Sequence, residues 1–513
     1  MLDSLDVKRI KPWVSSLLTP LRKAMTMLIF CILFAVLFLL WCSRRLRSLP
    51  PGPPFPFPLF GHLHLLEKDP RKQFEQWRRQ YGDVFSLYMG SRLVVVLNGY
   101  NVIKDALVNN ADVFSDRPHL FITDQITRNK GIVFSSGPIW KEQRKLSLEI
   151  LRGLSMGKDV MATRIQEEVR ELVKVLAQHE GRAVDVAKLL SISSSNNINF
   201  LVFGKRFEYD DSKFGHFVSL VEENFRLLQS TAIVNYCPLI RLLPGDPFSS
   251  KKIIQNVADI MHDFLEPQIK EIEGSLDVDH DNFISIYLHH VRRLQEQGNT
   301  QTTINREHLL WVVSDLFSGG METTTNSILW TLVYLMHYPE VLNKCYRQIT
   351  SVVGTDRPPS ILDRPSLPYV EATIMETLRM CDISGFGLHH GVTHGCELQG
   401  YWIPENTVVI PFIHSVMMEP QIWTDPEKFR PERFLDDRNK LIVKEEFIPM
   451  GIGRRRCLGE KVARVQLFLY IATMIQRFHF APPKGGHLPS LQGIIGLTCS
   501  PEHFTMCFRP RDK

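Results

Sequence analysis

Apolar and polar positions along the chain fall into three regimes. The first is "AMTMLIFCILFAVLFLLWC", from Ala24 to Cys42, 19 residues without a charge. A run of that length spans a bilayer as a helix. No small-x-small cleavage site follows it, so a retained transmembrane anchor is expected rather than a removed signal peptide. Five basic residues precede the run and three follow it, which leaves orientation undecided by charge. The second regime is "PPGPPFPFP", Pro50 to Pro58, too rich in proline for helix or central strand and therefore a stiff extended spacer. The third is a long body. In it "VFSLYM" and "RLVVVL" flank Gly90-Ser91 as a hairpin. From about Lys141 to Tyr346 the period is helical, as in "RIQEEVRELVKVLAQH" and "LLWVVSDLFSGG". "LQEQGNTQTTINRE" (294–307) reads as an exposed loop, and short β-like pieces return at 397–412 and 492–508. The expected organisation is a basic segment (1–23), an anchor (24–42), an Arg/Pro-rich hinge (43–58) and one large domain (59–513), mainly α with small β-sheets near both ends.

Composition narrows the function. With 44% apolar and 22% charged residues over 513 positions, the body is globular with a sizeable core. A net charge of +5 with scattered basic residues gives nucleic-acid binding no support. Nine cysteines stand at 31, 42, 237, 345, 381, 396, 457, 499 and 507. Their odd number and the lack of C-x-x-C suggest neither a disulfide framework nor a zinc site, and point to a reducing compartment.

Two segments carry chemistry. "FIPMGIGRRRCLGE" (Phe447–Glu460) holds a single cysteine just before a helical pattern. Unpaired N–H groups and the helix dipole there are expected to lower the thiol pKa and favour thiolate; the alternative is a buried structural cysteine beside a solvated basic run. "HLLWVVSDLFSGGMETTTNSILWTLVYLMHY" (308–338) is helical, yet carries Gly319-Gly320 and Thr323-Thr324-Thr325 at its centre. Each glycine costs about 1 kcal/mol against alanine and hydroxyls bond back to i−4 carbonyls, so a local opening of the helix is expected.

The spacing G-x-R-x-C-x-G (Gly453, Arg455, Cys457, Gly459) resembles the haem-binding signature of the cytochrome P450 family. The resemblance covers residues 50–510 and is similar to the animal microsomal clan of drug-, steroid- and fatty-acid-hydroxylating monooxygenases. It implies the cytochrome P450 fold, with a single catalytic domain behind the anchor, and Cys457 as the thiolate ligand of haem b iron. Gly319 to Thr324 resembles the distal-helix motif, which implies catalytic roles for Thr323 and Glu322 in managing protons. "WKEQR" implies that Trp140 and Arg144 meet the haem propionates, joined by Arg117, His390 and Arg455. "ETLR" and "FRPERF" imply a structural ion-pair set of Glu376, Arg379 and Arg433. Pocket walls are expected from 118–133, Leu316, Phe317, Met321, Gly385 to Leu388 and 493–497. The implied partners are an NADPH-dependent flavoprotein reductase, cytochrome b5, membrane lipid and a lipophilic substrate. The implied location is the endoplasmic reticulum membrane, with the catalytic domain facing the cytosol. The basic residues Arg454, Arg456, Lys461 and Lys141 are candidates for the reductase face. Three departures stand out: Met450 where the signature usually has Phe, Gly385 where Pro is common, and a long segment before the apolar run. Rival readings are peroxide isomerase or dehydratase chemistry without a reductase, which the retained Thr323 disfavours, and a non-catalytic haem sensor.

Overall fold

A computed structural model describes residues 23–33, 36, 48–156, 160–276 and 281–511. Of the expected membrane span, residues 24–33 and 36 are described and the rest lie outside the described residues. Its described part, 23–33, is helix with exposed apolar side chains such as Met27 and Phe30. Among the described residues no helix is long and apolar enough to cross a membrane.

The body is mainly helical with small sheets. Strands β1 (Val84–Met89) and β2 (Arg92–Leu97) form the expected hairpin, Val84 opposite Leu97 and Met89 opposite Arg92. Gly90 turns the chain at φ 58°, the left-handed region that favours glycine. The helices that frame the site are α1 (Gly137–Met156), α2 (Val160–Gln178), α3 (Val186–Phe203) and α4 (Ser212–Tyr236), preceding α5 (Arg306–His337) and α6 (Pro368–Met380). Beyond α6 come β3 (His390–Gly391) and β4 (Val408–Pro411), and β4 lies parallel to β2 and antiparallel to β3, giving a four-stranded sheet in the order β1-β2-β4-β3. Helix α7 (Glu460–Arg477) follows the cysteine loop, and a two-stranded hairpin of β5 (Gly493–Ile495) and β6 (Cys499–Pro501) lies near the end. The expected loop at 294–307 is shorter at both ends: a helix runs to Glu296 and α5 starts at Arg306. Asn305 closes that start by accepting from the His308 N–H (3.0 Å).

Helix α5 is the spine. Its first half, Leu309 to Met321, packs into a cluster with α3 and α4; its second half, Ile328 to Leu335, packs into a second cluster with α6 and α7. A helix apolar all round must be buried all round. Between the two clusters lies the small and polar stretch 319–327, and that change of character along one helix places the cavity.

The expected opening of α5 does not occur, since the helix is unbroken from Arg306 to His337. The hydroxyls instead share carbonyls already used by the ladder: Thr323 Oγ1 donates to Gly319 O, Ser327 Oγ to Thr323 O and Thr331 Oγ1 to Ser327 O, each at 2.7 Å. Back-bonding of this kind satisfies a hydroxyl without breaking the turn.

Behind the cysteine loop, Glu376 accepts from Arg379 Nε (2.8 Å), Arg379 Nη2 (3.0 Å) and Arg433 Nε (2.8 Å). The Arg430 N–H adds a fourth bond (2.9 Å), and Arg379 also reaches the carbonyls of Met417 and Pro426. The side chains of Glu376 and Arg379 are fully buried. The expected ion-pair set is therefore assembled inside the core, where loss of one partner costs about 3–5 kcal/mol.

Candidate active site

The cysteine loop is shaped by two left-handed glycines, Gly451 (φ 75°) and Gly453 (φ 77°). At Gly453 a side chain would strike the Leu107 carbonyl, so only glycine fits. The Cys457 N–H closes the loop on Met450 O (3.0 Å). Helix α7 begins three residues later, with Gly459 as its N-cap.

Cys457 opens into a cavity of about 360 Å³. Met450 and Gly451 share its wall, and Gly319, Gly320, Thr323 and Thr324 of α5 form the facing wall. The expected lowering of the thiol pKa is overturned in the balance of forces. Burial pushes the Cys457 thiol above its ordinary value and the Glu460 carboxylate adds to this, against the Gly459 N–H, Arg144 and Arg456. Cys457 is exposed only to the protein-walled cavity, where a helix N-terminus alone does not offset the lost solvation; a metal cation on the sulfur would.

Arg117, Arg144, His390 and Arg455 line the same cavity. Arg117 donates to the carbonyls of Val133 (2.9 Å), Leu388 (3.0 Å) and His389 (2.8 Å). Arg144 Nη2 donates to Arg456 O (2.6 Å). Arg455 donates to Ser115 O (2.6 Å), Ile132 O (3.1 Å) and Ser135 O (2.6 Å), its guanidinium lying 3.9 Å from the centre of the Trp140 ring. Every one of these bonds ends on a main-chain carbonyl, and among the described residues none of the three arginines is in an ion pair. Burial, with Arg117 and Arg144 adding repulsion against a lesser pull from Asp116, brings Arg455 down to about 8. Burial and the charge of Arg117 hold His390 well below the ordinary imidazole range, and its Nδ1 pairs with Phe114 O (2.6 Å). Trp140 is buried beside them, and its Nε1 has no partner among the described residues. Buried donors and cations left in this state call for acceptor oxygens carrying negative charge. The residues fit a planar, iron-bearing dicarboxylate: sulfur on one face, the α5 wall on the other, cationic groups at the rim.

Glu322 is not on that wall. One residue from Thr323, it lies about 100° around α5, and its Oε1 accepts from Asn326 Nδ2 (2.9 Å) and Thr498 Oγ1 (3.4 Å). Burial, with the Glu222 charge adding, raises its carboxyl to about 7.

The expected pocket walls are met in part. Ile132, Val133, Leu316, Gly387 and Leu388 line the cavity, whereas Phe317, Met321, Gly385 and 493–497 do not. On α5 the lining positions 315, 316, 319, 320, 323, 324 and 327 follow one face at the helical period, and Phe317 and Met321 fall beyond its edge. Gly385 serves a different purpose: a side chain there would strike the Asp382 carboxylate. Sequence reasoning missed Asp315, a cavity carboxylate that accepts from the N–H groups of Ile132 (2.6 Å) and Val133 (3.0 Å) and that burial raises to about 6. Its signal was available, because an acid inside an otherwise apolar helical run needs a buried partner.

A cysteine-floored slot with an arginine-rich rim, crossed by a threonine-bearing helix, defines the class as a haem-thiolate enzyme. The family model for cytochrome P450 matches residues 50–508. The chain is 36% identical to cytochrome P450 2U1 of Homo sapiens, over 94% of this chain and 93% of the relative. It is 36% identical to cytochrome P450 18a1 of Drosophila melanogaster (91% and 88%) and 35% identical to cytochrome P450 2C8 of Homo sapiens (94% and 99%). The chain belongs to the cytochrome P450 family and is a cytochrome P450 monooxygenase.

Proposed function

We propose that this protein is a membrane-anchored haem-thiolate monooxygenase that inserts one atom of O2 into a lipophilic small molecule, of the steroid, fatty-acid or xenobiotic kind. Electrons come from NADPH through a flavoprotein reductase, with cytochrome b5 as a second donor. The observation that carries the reading is that Cys457 and Gly319, Gly320, Thr323 and Thr324 of α5 line one cavity together with Arg117, Arg144 and Arg455. When bound, the haem supplies oxygen binding and activation. The chain's own residues do the rest. Cys457 holds the metal, and Arg117, Arg144, Arg455, His390 and Trp140 hold the carboxylates. Thr323, on the cavity wall, and Glu322, half protonated near neutral pH, position and renew the protons. Leu151, Ile198, Leu201 and Leu316 present an apolar surface to the substrate.

Exposed apolar side chains support a body resting on a bilayer at the endoplasmic reticulum with its catalytic part in the cytosol. Phe55, Phe57, Leu59 and Phe60 stand near Leu239, Leu242 and Leu243, joined where Cys237 Sγ meets Leu59 O (3.9 Å). For the reductase, Lys141, Arg454, Arg456 and Lys461 are exposed, although Arg454 pairs with Asp112 and Arg456 with Glu460 (2.6 Å). That leaves the two lysines to carry most of the attraction.

The test is spectroscopic. Reduced, carbon-monoxide-treated protein is expected to show the thiolate Soret band and to lose it in Cys457→Ala; an unchanged band in that variant overturns the reading. Steroids, fatty acids and xenobiotics screened by spin-state shift, then by reductase-dependent oxygen consumption, identify the substrate class.

A further inference from the structure

Thr323 reaches the cavity directly and Glu322 does not, so what stands behind Glu322 decides whether it carries a proton. Thr498 links Glu322 to the turn between β5 and β6, and in that turn the Gly496 N–H donates to Thr498 O (3.0 Å). The turn is pressed against α4, for a Cβ added at Gly496 would stand 3.2 Å from the Phe225 carbonyl oxygen. Glu222 lies three residues before Phe225 on α4, one helical turn away on the same side. It is half-buried, and Ser191 of α3 eases the cost of its charge. Helices α3, α4 and α5 and the β5–β6 turn thus meet around two carboxylates.

We propose that Glu222 is a positioning residue that sets the proton occupancy of Glu322, standing between that buried acid and solvent. This rests on the monooxygenase reading above. The groups around the pair are few. On Glu322 act Asn326 of α5, Thr498 of the turn and the charge of Glu222. On Glu222 act Ser191 and Lys188 of α3, Asp185 at the α3 cap and Arg226 of α4. Among the described residues neither carboxylate is in an ion pair. Lys188 and Arg226 are exposed and mark the solvent end. A second carboxylate next to Glu322 disfavours the anion of Glu322, so removing it lowers the pH at which Glu322 gives up its proton. Burial already raises the Glu322 carboxyl, and the Glu222 charge adds to it, widening the range over which Glu322 remains a proton donor.

The test uses the full-length holoenzyme and the isosteric Glu222→Gln, with Glu222→Ala as a second variant. The protonated-carboxyl infrared band of Glu322 is assigned by its disappearance in Glu322→Gln, then titrated. Both Glu222 variants are expected to move its midpoint down by roughly 1 pH unit. The alkaline limb of turnover should move by the same amount, with the reduced carbon-monoxide Soret position unchanged. A midpoint that stays in place overturns the inference, whether or not turnover falls, because a structural role for Glu222 would lower turnover at every pH alike. A missing thiolate band in the unsubstituted protein defeats the monooxygenase reading instead, so the two failures are distinguishable.

Discussion

Arg379 and Arg433 share a buried carboxylate, whereas Arg117, Arg144 and Arg455 share none. The first pair meets Glu376 through three bonds of 2.8–3.0 Å, and the remaining donors of Arg379 end on carbonyls of the chain. The cluster is complete by itself and holds the segments that support the cysteine loop. The second group converges on a cavity with only carbonyl partners, and burial, with repulsion from Arg117 and Arg144 adding, pulls Arg455 downward. Cations withdrawn from water cost free energy unless they are paired, and a chain that tolerates the buried Arg117 beside the half-buried Arg144 and Arg455 in one rim does so for a ligand that brings the anions. Inside one fold, compensated arginines mark architecture and uncompensated ones mark a binding site.

The contrast yields ordered predictions. Glu376→Ala strips both arginines of their acid and is expected to destabilise the protein by about 3–5 kcal/mol. Urea unfolding measures it, and a loss under 1 kcal/mol would erase the distinction between the clusters. Arg144→Met removes one uncompensated charge. Haem-free protein should keep its stability, because a repulsion is lost with the hydrogen bond, while haem should be released roughly 10- to 100-fold more readily, followed by transfer to a haem scavenger. Trp140→Phe is the mildest, removing an orphaned donor rather than a charge. Its expected effect is about 2- to 10-fold weaker haem retention with no loss of haem-free stability. Equal destabilisation of both forms would make the indole structural.

Much of this was legible along the chain because it is local. A cysteine loop whose glycines must adopt positive φ, and an i,i+4 pair such as Trp140 and Arg144 on one helical face, are written in consecutive positions. The membrane-length apolar run is local as well, though its second half lies largely outside the described residues. The rim residues could be named through resemblance, but their common fate could not be read from spacing, since Arg455 meets Ser115 across 340 positions. Helix α5 shows the same divide. Its glycines and threonines suggested a break, whereas packing of α3 against Gly320, where a side chain would strike Ile198, keeps it continuous.

By itself, the order of residues determined the helical period, the loop geometry at Cys457 and the chemical types available, because each depends on neighbours within a turn or two. Tertiary structure alone decided which of them act together. It turned Glu322 away from the cavity toward Asn326 and Thr498, raised the Cys457 thiol by desolvation, and left the rim arginines without acids. The physical reason is that charge, burial and hydrogen-bond satisfaction depend on what surrounds a group in space, and those neighbours arrive from distant parts of the chain.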